Sequence, residues 1–409
     1  MGTASYDCLS SFMISVDQAT AITLSHLFSP PVLKVPLRDA VNHVLATPVF
    51  ADRDFPPFDR VTMDGVAIAY KAWEEGRRTF VIAGVQGAGA SQMDLPGSEV
   101  CIEVMTGAVL PRGADTVIRY EDLTMNNGMA TVADVIVDKY QNVHHRGSDA
   151  AAGSALLSPG QRISPAEVAL MASVGITSVD VRAWPRVAVL SSGDELVAVE
   201  EQPGPFQIRR SNTEALVSAL RSMGIEAEAG HLPDDADIIK REIGRTAAEC
   251  DVMILSGGVS KGKYDYIPDA LEAAGIRKLF HQVSQRPGKP FWFGVGSRGP
   301  VAFALPGNPV STFMCFYRYV RPWLLHSLGT EVKSQAAVLA EDFKFAPALT
   351  YFLQVRVSGD GGVMKAWPAA GGGSGDFANL ASVDGFLELP SDREVFRAGE
   401  VFPFLAFRP

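Results

Sequence analysis

Val301-Ala302-Phe303-Ala304-Leu305-Pro306-Gly307-Asn308-Pro309-Val310-Ser311 decides how this chain is read. Five apolar residues form a strand that runs straight into a Pro-Gly-Asn-Pro turn. Pro309 then stands in the first turn of a helix, where its missing N–H costs nothing. Such a start leaves backbone donors free beside the Ser311 hydroxyl, a geometry suited to an anion.

Working outward, strand and helix keep alternating. Strands are predicted over 186–190, 225–231, 251–255 and 280–283. Helices are predicted from Ser211, with Glu214 as its capping-box partner, from Asp234 or Asp235 to Ala248, over 266–274, and over 310–328. The 251–255 strand is continuously apolar, as expected where helices cover both faces. This alternation implies a parallel, doubly wound α/β sheet, in which ligands bind beyond the carboxyl ends of the strands. Ser191, Ser256 and Leu305 all open loops at that end. Ser256-Gly257-Gly258-Val259-Ser260 is a second glycine turn after a strand, and Arg286-Pro287-Gly288-Lys289-Pro290 adds two cations. Together they predict a pocket for an oxyanion or a phosphorylated ligand.

The flanks of the α/β unit (185–330) read differently. Helices are expected over 14–26, capped by Ser15, over 35–45, and over 164–173, where Ser164 and Glu167 have capping-box spacing. They are grouped as one helical domain split into 14–54 and 150–184. Between them, 55–149 reads as an inserted β domain, with a hairpin at Asn127-Gly128. A C-terminal β domain, a barrel, is expected over 335–409, with strands at 351–357, 386–389 and 401–407 and a mobile loop at Gly371-Gly372-Gly373-Ser374-Gly375.

The 409 residues are 47% hydrophobic and 20% charged, enough to bury several cores, and the net charge is −10. That balance argues against broad nucleic-acid or membrane binding. An anionic ligand must instead be held by local cations and backbone amides. Cys8, Cys101, Cys250 and Cys315 lack CxxC spacing and read as free thiols of a reducing compartment. Neither a signal peptide nor a membrane span is legible, so a soluble, cytoplasmic protein is expected.

Several motifs stay open on their own residues. Gly257-Gly258-Val259-Ser260-Lys261-Gly262-Lys263 has the spacing of a nucleotide-binding P-loop, but Tyr264 replaces the aliphatic hydroxyl that binds magnesium. Asp265 either caps the next helix or holds magnesium against a phosphate. Asp194 and Glu195 are a cap and its neighbour, or an acid for a ligand. Asp64-Gly65 reads as a turn, Arg146 and Asp149 as a surface ion pair, and His144-His145 as a solvated pair. No Ser/His/Asp or Cys/His arrangement is identifiable.

Taken in order, Met63-Asp64-Gly65, Met105-Thr106-Gly107-Ala108, Arg146-Gly147-Ser148-Asp149, Ser192-Gly193-Asp194-Glu195-Leu196, Asn212-Thr213, Ser256-Gly257-Gly258-Val259-Ser260, Asp265-Tyr266, Pro287-Gly288-Lys289-Pro290 and the 305–311 stretch resemble the molybdopterin molybdenumtransferases, the MoeA/gephyrin E-domain family. The resemblance runs from Ile14 to the C-terminus. It implies that adenylylated molybdopterin and molybdate react to give metal-loaded cofactor, AMP and water, with magnesium. It also implies the split, inserted, MogA-like α/β and C-terminal β domains, and an elongated homodimer whose site draws on both chains. Carried over, Asp64, Thr106, Asp149, Asp194, Glu195 and Asp265 are catalytic positions, with Asp265 on magnesium. Gly257, Gly258, Ser260, Arg286, Lys289, Pro290, Pro306, Asn308, Pro309 and Ser311 are substrate-binding positions for the pterin phosphate or molybdate. A molybdopterin adenylyltransferase and molybdoenzyme apoproteins are the implied partners.

The chain departs from the pattern at Arg60-Val61-Thr62, at Lys261-Gly262-Lys263, at Arg286 in place of a common Lys, and at Gln354 in place of an oxyanion-binding Arg. The competing readings are a gephyrin-like scaffold that binds partner peptides without full transferase activity, and an adenylyltransferase that consumes ATP.

Overall fold

The structure is a computed structural model that describes residues 13–259, 265–297 and 299–408. Its centre is a six-stranded sheet in the order Ala227–Leu232, Val187–Ser192, Val252–Ser256, Val301–Leu305, Trp292–Gly296, Ile276–His281. The first four strands are parallel, in registers that place Val189 beside Ile254 and Ile254 beside Phe303. Trp292–Gly296 pairs antiparallel with both of its neighbours, so the expected wholly parallel sheet is corrected at that one strand, and Ile276–His281 runs again in the common direction. The reason is length: residues 297–300 can close a hairpin, whereas a parallel return needs a crossover of a dozen residues or more.

Alternation along the strands feeds two cores. Val189, Ile254 and Phe303 pack with Leu216, Leu220, Phe316 and Trp323 on one face. Leu190, Leu255 and Ala304 pack with Ile239, Ile243 and Leu271 on the other. The final helix is not uniform. Pro309–Cys315 passes through a π segment, Phe316–Val320, into Arg321–Ser327. Pro322 has no N–H for the carbonyl of Arg318, which accounts for the widened ladder before it.

The N-terminal helix Val16–Leu24 carries the Ser15–Gln18 capping box. It packs on the α/β core, where Trp323 Nε1 donates to His26 O at 2.8 Å. The helix expected over 35–45 does not form. Val32–Pro36 is a strand paired antiparallel with Ser178–Arg182, Leu37–Asp39 is a 3₁₀ turn, and Val44–Leu45 pairs the other edge of Ser178–Arg182. Pro36 biases Val35 to extended backbone, and Asn42 at φ +73° cannot continue a helix. This unit therefore holds a small sheet with the helix Pro165–Ser173 laid on it, less helical than expected.

A second six-stranded sheet is built within residues 65–132, and its Asn127-Gly128 hairpin has φ +46° and +73°, as a two-residue primed turn requires. After Ser334, five strands close on themselves: Gln335–Leu339, Thr350–Asp360, Val363–Pro368, Gly385–Leu389 and Val401–Ala406. One strand of the barrel also pairs with the α/β unit, Gln285 beside Thr350 and Arg286 beside Tyr351. The Arg318–Glu388 ion pair, 2.7 Å and mostly buried, ties the same two units. Among the described residues no helix is long and apolar enough to cross a membrane. Cys101, Cys250 and Cys315 are unpaired and buried.

Candidate active site

The carboxyl ends of Val187–Ser192, Val252–Ser256 and Val301–Leu305 open into a cavity of about 900 Å³, closed on the far side by the barrel residues Tyr351, Gln354 and Gly371 to Ser374. Two glycine turns form its floor. Gly257 has φ +96° and its N–H donates to Leu305 O at 3.1 Å; a Cβ there would lie 2.8 Å from Ser192 O. Only glycine fits that position.

Asn212 locks the floor. Its Nδ2 donates to Gly307 O at 2.7 Å, Ser256 Oγ at 2.9 Å and Thr312 Oγ1 at 3.3 Å. Thr312 Oγ1 also donates to Pro306 O, fixing the turn from inside. The helix start at Pro309 is less open than the sequence suggests. Val310 N donates to Ser374 O at 3.1 Å, and Asn308 Nδ2 donates to Ser374 Oγ at 2.9 Å. The glycine loop expected to be mobile is thus pinned across the helix start. Its root is held as well, because Asn379 Nδ2 donates to Ala369 O at 2.6 Å and to Gln354 Oε1 at 3.2 Å.

Arg286, Lys289, Arg209 and Arg210 bring positive charge to the wall, and Glu195, Asp234 and Asp265 bring negative charge. Arg286 and Lys289 have no carboxylate partner among the described residues, and Arg286 lies 5.8 Å over the Phe345 ring. Asp235 caps the helix Ala236–Glu249, which leaves Asp234 to the cavity, where it accepts from Ser192 Oγ at 3.3 Å. The helix Ile267–Ala273 has Tyr266 at its N-cap, so Asp265 is not the cap. Ser211 does not cap either: Arg210 occupies that position and the Ser211–Glu214 box is not made. The helix thus begins one residue earlier than the expected Ser211 cap allows, directly after the short strand Ile208–Arg209.

The cavity gathers Glu195, Gly257, Gly258, Asp265, Arg286, Lys289, Pro290, Pro306, Asn308, Pro309 and Ser311 from the residues singled out in the sequence. Ser260 and the Lys261-Gly262-Lys263 segment lie outside the described residues. Asp194 is not on the wall; its Oδ1 accepts from Asp234 N at 3.0 Å. Sequence reasoning missed Arg209, Arg210, Asp234 and Ser374. The Arg-Arg pair ahead of a helix start was a usable signal for two of them, while Ser374 arrives from a distant loop that no local pattern marks.

Asp64, Thr106 and Asp149 lie on the inserted β module and line no part of this cavity. Asp64 Oδ1 accepts from Thr106 N at 2.6 Å and from Thr106 Oγ1 at 2.7 Å, and these bonds hold its carboxyl below the usual range. Asp149 Oδ1 lies 2.7 Å from His144 Nε2, and His145 is 3.4 Å from Asp59. Arg146 pairs with Asp54 at 2.7 Å and not with Asp149.

Comparison with known proteins agrees along the whole chain. Residues 14–175 match the MoeA N-terminal region (domain I and II), 188–326 match a family described as a probable molybdopterin binding domain, and 336–407 match the MoeA C-terminal region (domain IV). The chain is 40% identical to a molybdopterin molybdenumtransferase of Synechocystis sp., covering 97% of this chain and 100% of that one. It is 30% identical to a molybdopterin molybdenumtransferase of Staphylococcus aureus over 94% of each chain. Among solved structures, a molybdopterin biosynthesis MoeA protein from Pyrococcus horikoshii superposes with a TM-score of 0.83 at 27% identity, over 97% of this chain and 100% of that one.

Proposed function

The chain belongs to the molybdopterin molybdenumtransferase family, and from that premise we propose that it inserts molybdate into adenylylated molybdopterin with release of AMP. One observation carries the reading to this chain's own residues: the polar cavity of about 900 Å³, in which Arg286 and Lys289, without a carboxylate partner among the described residues, share a wall with three carboxylates and two glycine turns. Cleaving the phosphoanhydride puts charge on the leaving phosphate. Lys289 and Arg286 stand ready to neutralise it, and being unpaired they need break no ion pair to do so. The floor held by Asn212 fixes the Pro306 and Gly257 turns without rearrangement, the preorganisation such a transfer needs.

Among the described residues no three acidic, histidine or cysteine side chains cluster to hold a metal, but magnesium needs only one or two carboxylates together with substrate phosphates, and Glu195, Asp234 and Asp265 each offer one on the cavity wall. Asp265 is the residue assigned to it. When bound, the ion would act as a Lewis acid on the phosphates. Asp64, Thr106 and Asp149 enter through a homodimer, in which one chain's β module completes the cavity of its partner. The substrate must be supplied by a molybdopterin adenylyltransferase and the product consumed by molybdoenzyme apoproteins. Buried unpaired thiols suit a reducing cytoplasm.

The test is AMP release from the purified protein given adenylylated molybdopterin and magnesium, with and without molybdate. Molybdate-dependent release, reduced at least about tenfold by Lys289→Met, is expected. No release from a folded protein would remove the transferase reading.

A further inference from the structure

The Lys289 side chain is exposed, yet the backbone that carries it is held from behind. On its C-terminal side, Lys289 O accepts from Val283 N and from Phe291 N, each at 2.9 Å. On its N-terminal side, Gly288 O accepts from Gln285 Nε2 at 2.9 Å. Peptide units are planar, so pinning both carbonyls leaves the Cα–Cβ direction of Lys289 little freedom. Gly288 has no room to shift: at φ +90°, a Cβ there would stand 2.7 Å from Cys315 Sγ and 2.9 Å from Gln285 Nε2.

Gln285 is 0% exposed, so it meets the cavity only through this loop. A buried amide can be seated either way round, and its neighbours decide which. Tyr319, also buried, donates its hydroxyl to Gln285 Oε1. Burial pushes that phenol well above its ordinary value, so it keeps its proton and serves as the donor. The amide oxygen is thereby turned to Tyr319 and the nitrogen to Gly288. A buried amide satisfied at both ends specifies one arrangement, which an apolar side chain filling the same space would not. Tyr319 also belongs to the π segment Phe316–Val320, and widened turns of this kind recur at functional sites.

We infer that Gln285 and Tyr319 are positioning residues for Lys289, a brace that fixes the Gly288–Lys289 peptide and so aims the lysine into the cavity. This role rests on the transferase reading, in which Lys289 neutralises the leaving phosphate.

A double-mutant cycle on the full chain, read by calorimetric titration with inorganic pyrophosphate, tests the brace without turnover. Lys289→Met is expected to weaken pyrophosphate binding about tenfold, the loss of one charge-assisted contact. Tyr319→Phe, which removes only the hydroxyl, should weaken it about fivefold. The double variant should stay within about twofold of Lys289→Met alone, because the brace acts through the lysine. Gln285→Met should reproduce Tyr319→Phe in both backgrounds. Phe316→Leu, in the same helix segment, should lower the melting temperature and leave the affinity within about twofold. Effects that multiply to about fiftyfold in the double variant would overturn the brace, as would Phe316→Leu matching Tyr319→Phe in affinity. AMP release gives a second reading: Tyr319→Phe should slow it about fivefold, and an unchanged rate in a chain that releases AMP overturns the brace whatever the pyrophosphate result. A protein that shows the non-additive cycle but releases no AMP fails the transferase reading and leaves the brace standing. One that releases AMP while the two effects multiply fails the brace alone.

Discussion

Asp64 shows what two hydrogen bonds do to an exposed carboxylate. The backbone N–H of Thr106 is the larger influence and its hydroxyl the smaller, and both favour the ionised form. Thr106→Val should raise the Asp64 midpoint part of the way to the ordinary aspartate value, because the backbone donor stays. A carboxyl-carbon NMR titration reads this directly, and an unmoved midpoint would remove the hydroxyl from the account. The sign for stability follows. A carboxyl depressed in the folded state contributes above its unfolded pKa, and the contribution is lost as pH falls through the folded value. The acid limb of the stability curve should therefore retreat less steeply in the valine variant. Backbone conformation sets the constraint at Gly257, where φ +96° and a Cβ contact of 2.8 Å to Ser192 O exclude a side chain. Gly257→Ala should cost about 1–3 kcal/mol in chemical denaturation, and an unchanged midpoint would contradict the strained turn.

Among elements, the glycine loop is the clearest case of structure replacing expectation. Composition alone gives Gly371 to Gly375 no reason to hold still. The barrel holds its root through Asn379 and Gln354, the latter 4% exposed, and the α/β unit holds Ser374 through Asn308 and Val310. Asn379→Ala should cost about 1–2 kcal/mol and raise KM more than it lowers kcat, since it loosens a wall rather than removing a charge. Equal effects on both parameters would place Asn379 closer to the chemistry. The 35–45 segment fails for another reason. Leu37, Ala40, Val41, Val44 and Leu45 do recur at helical spacing, but Pro36 and the left-handed Asn42 outweigh that spacing, and the partner strand comes from residues 178–182. The Ser15 cap and the Ser164–Glu167 capping box were legible because each is complete within four residues.

At the scale of the molecule, the proposed homodimer makes a direct prediction. Asp64→Asn and Lys289→Met variants, each inactive alone, should recover about a quarter of wild-type activity when their subunits are mixed and allowed to exchange, because half the dimers then carry one intact site of two. No recovery would mean that the β module of one chain does not complete its partner's cavity. What the sequence by itself determined is the set of local rules: apolar strands entering glycine and proline turns, helix caps, the Asn127-Gly128 hairpin, and the order of motifs that mark the family. These are written in consecutive residues, and neighbours in sequence are neighbours in space. Only the tertiary structure decided that Trp292–Gly296 runs against both of its neighbours, that Gln285 and Arg286 join the barrel, and that Arg210, Asp234 and Ser374 meet on one wall. Those outcomes depend on packing between segments that are not consecutive in the chain, which no local pattern encodes.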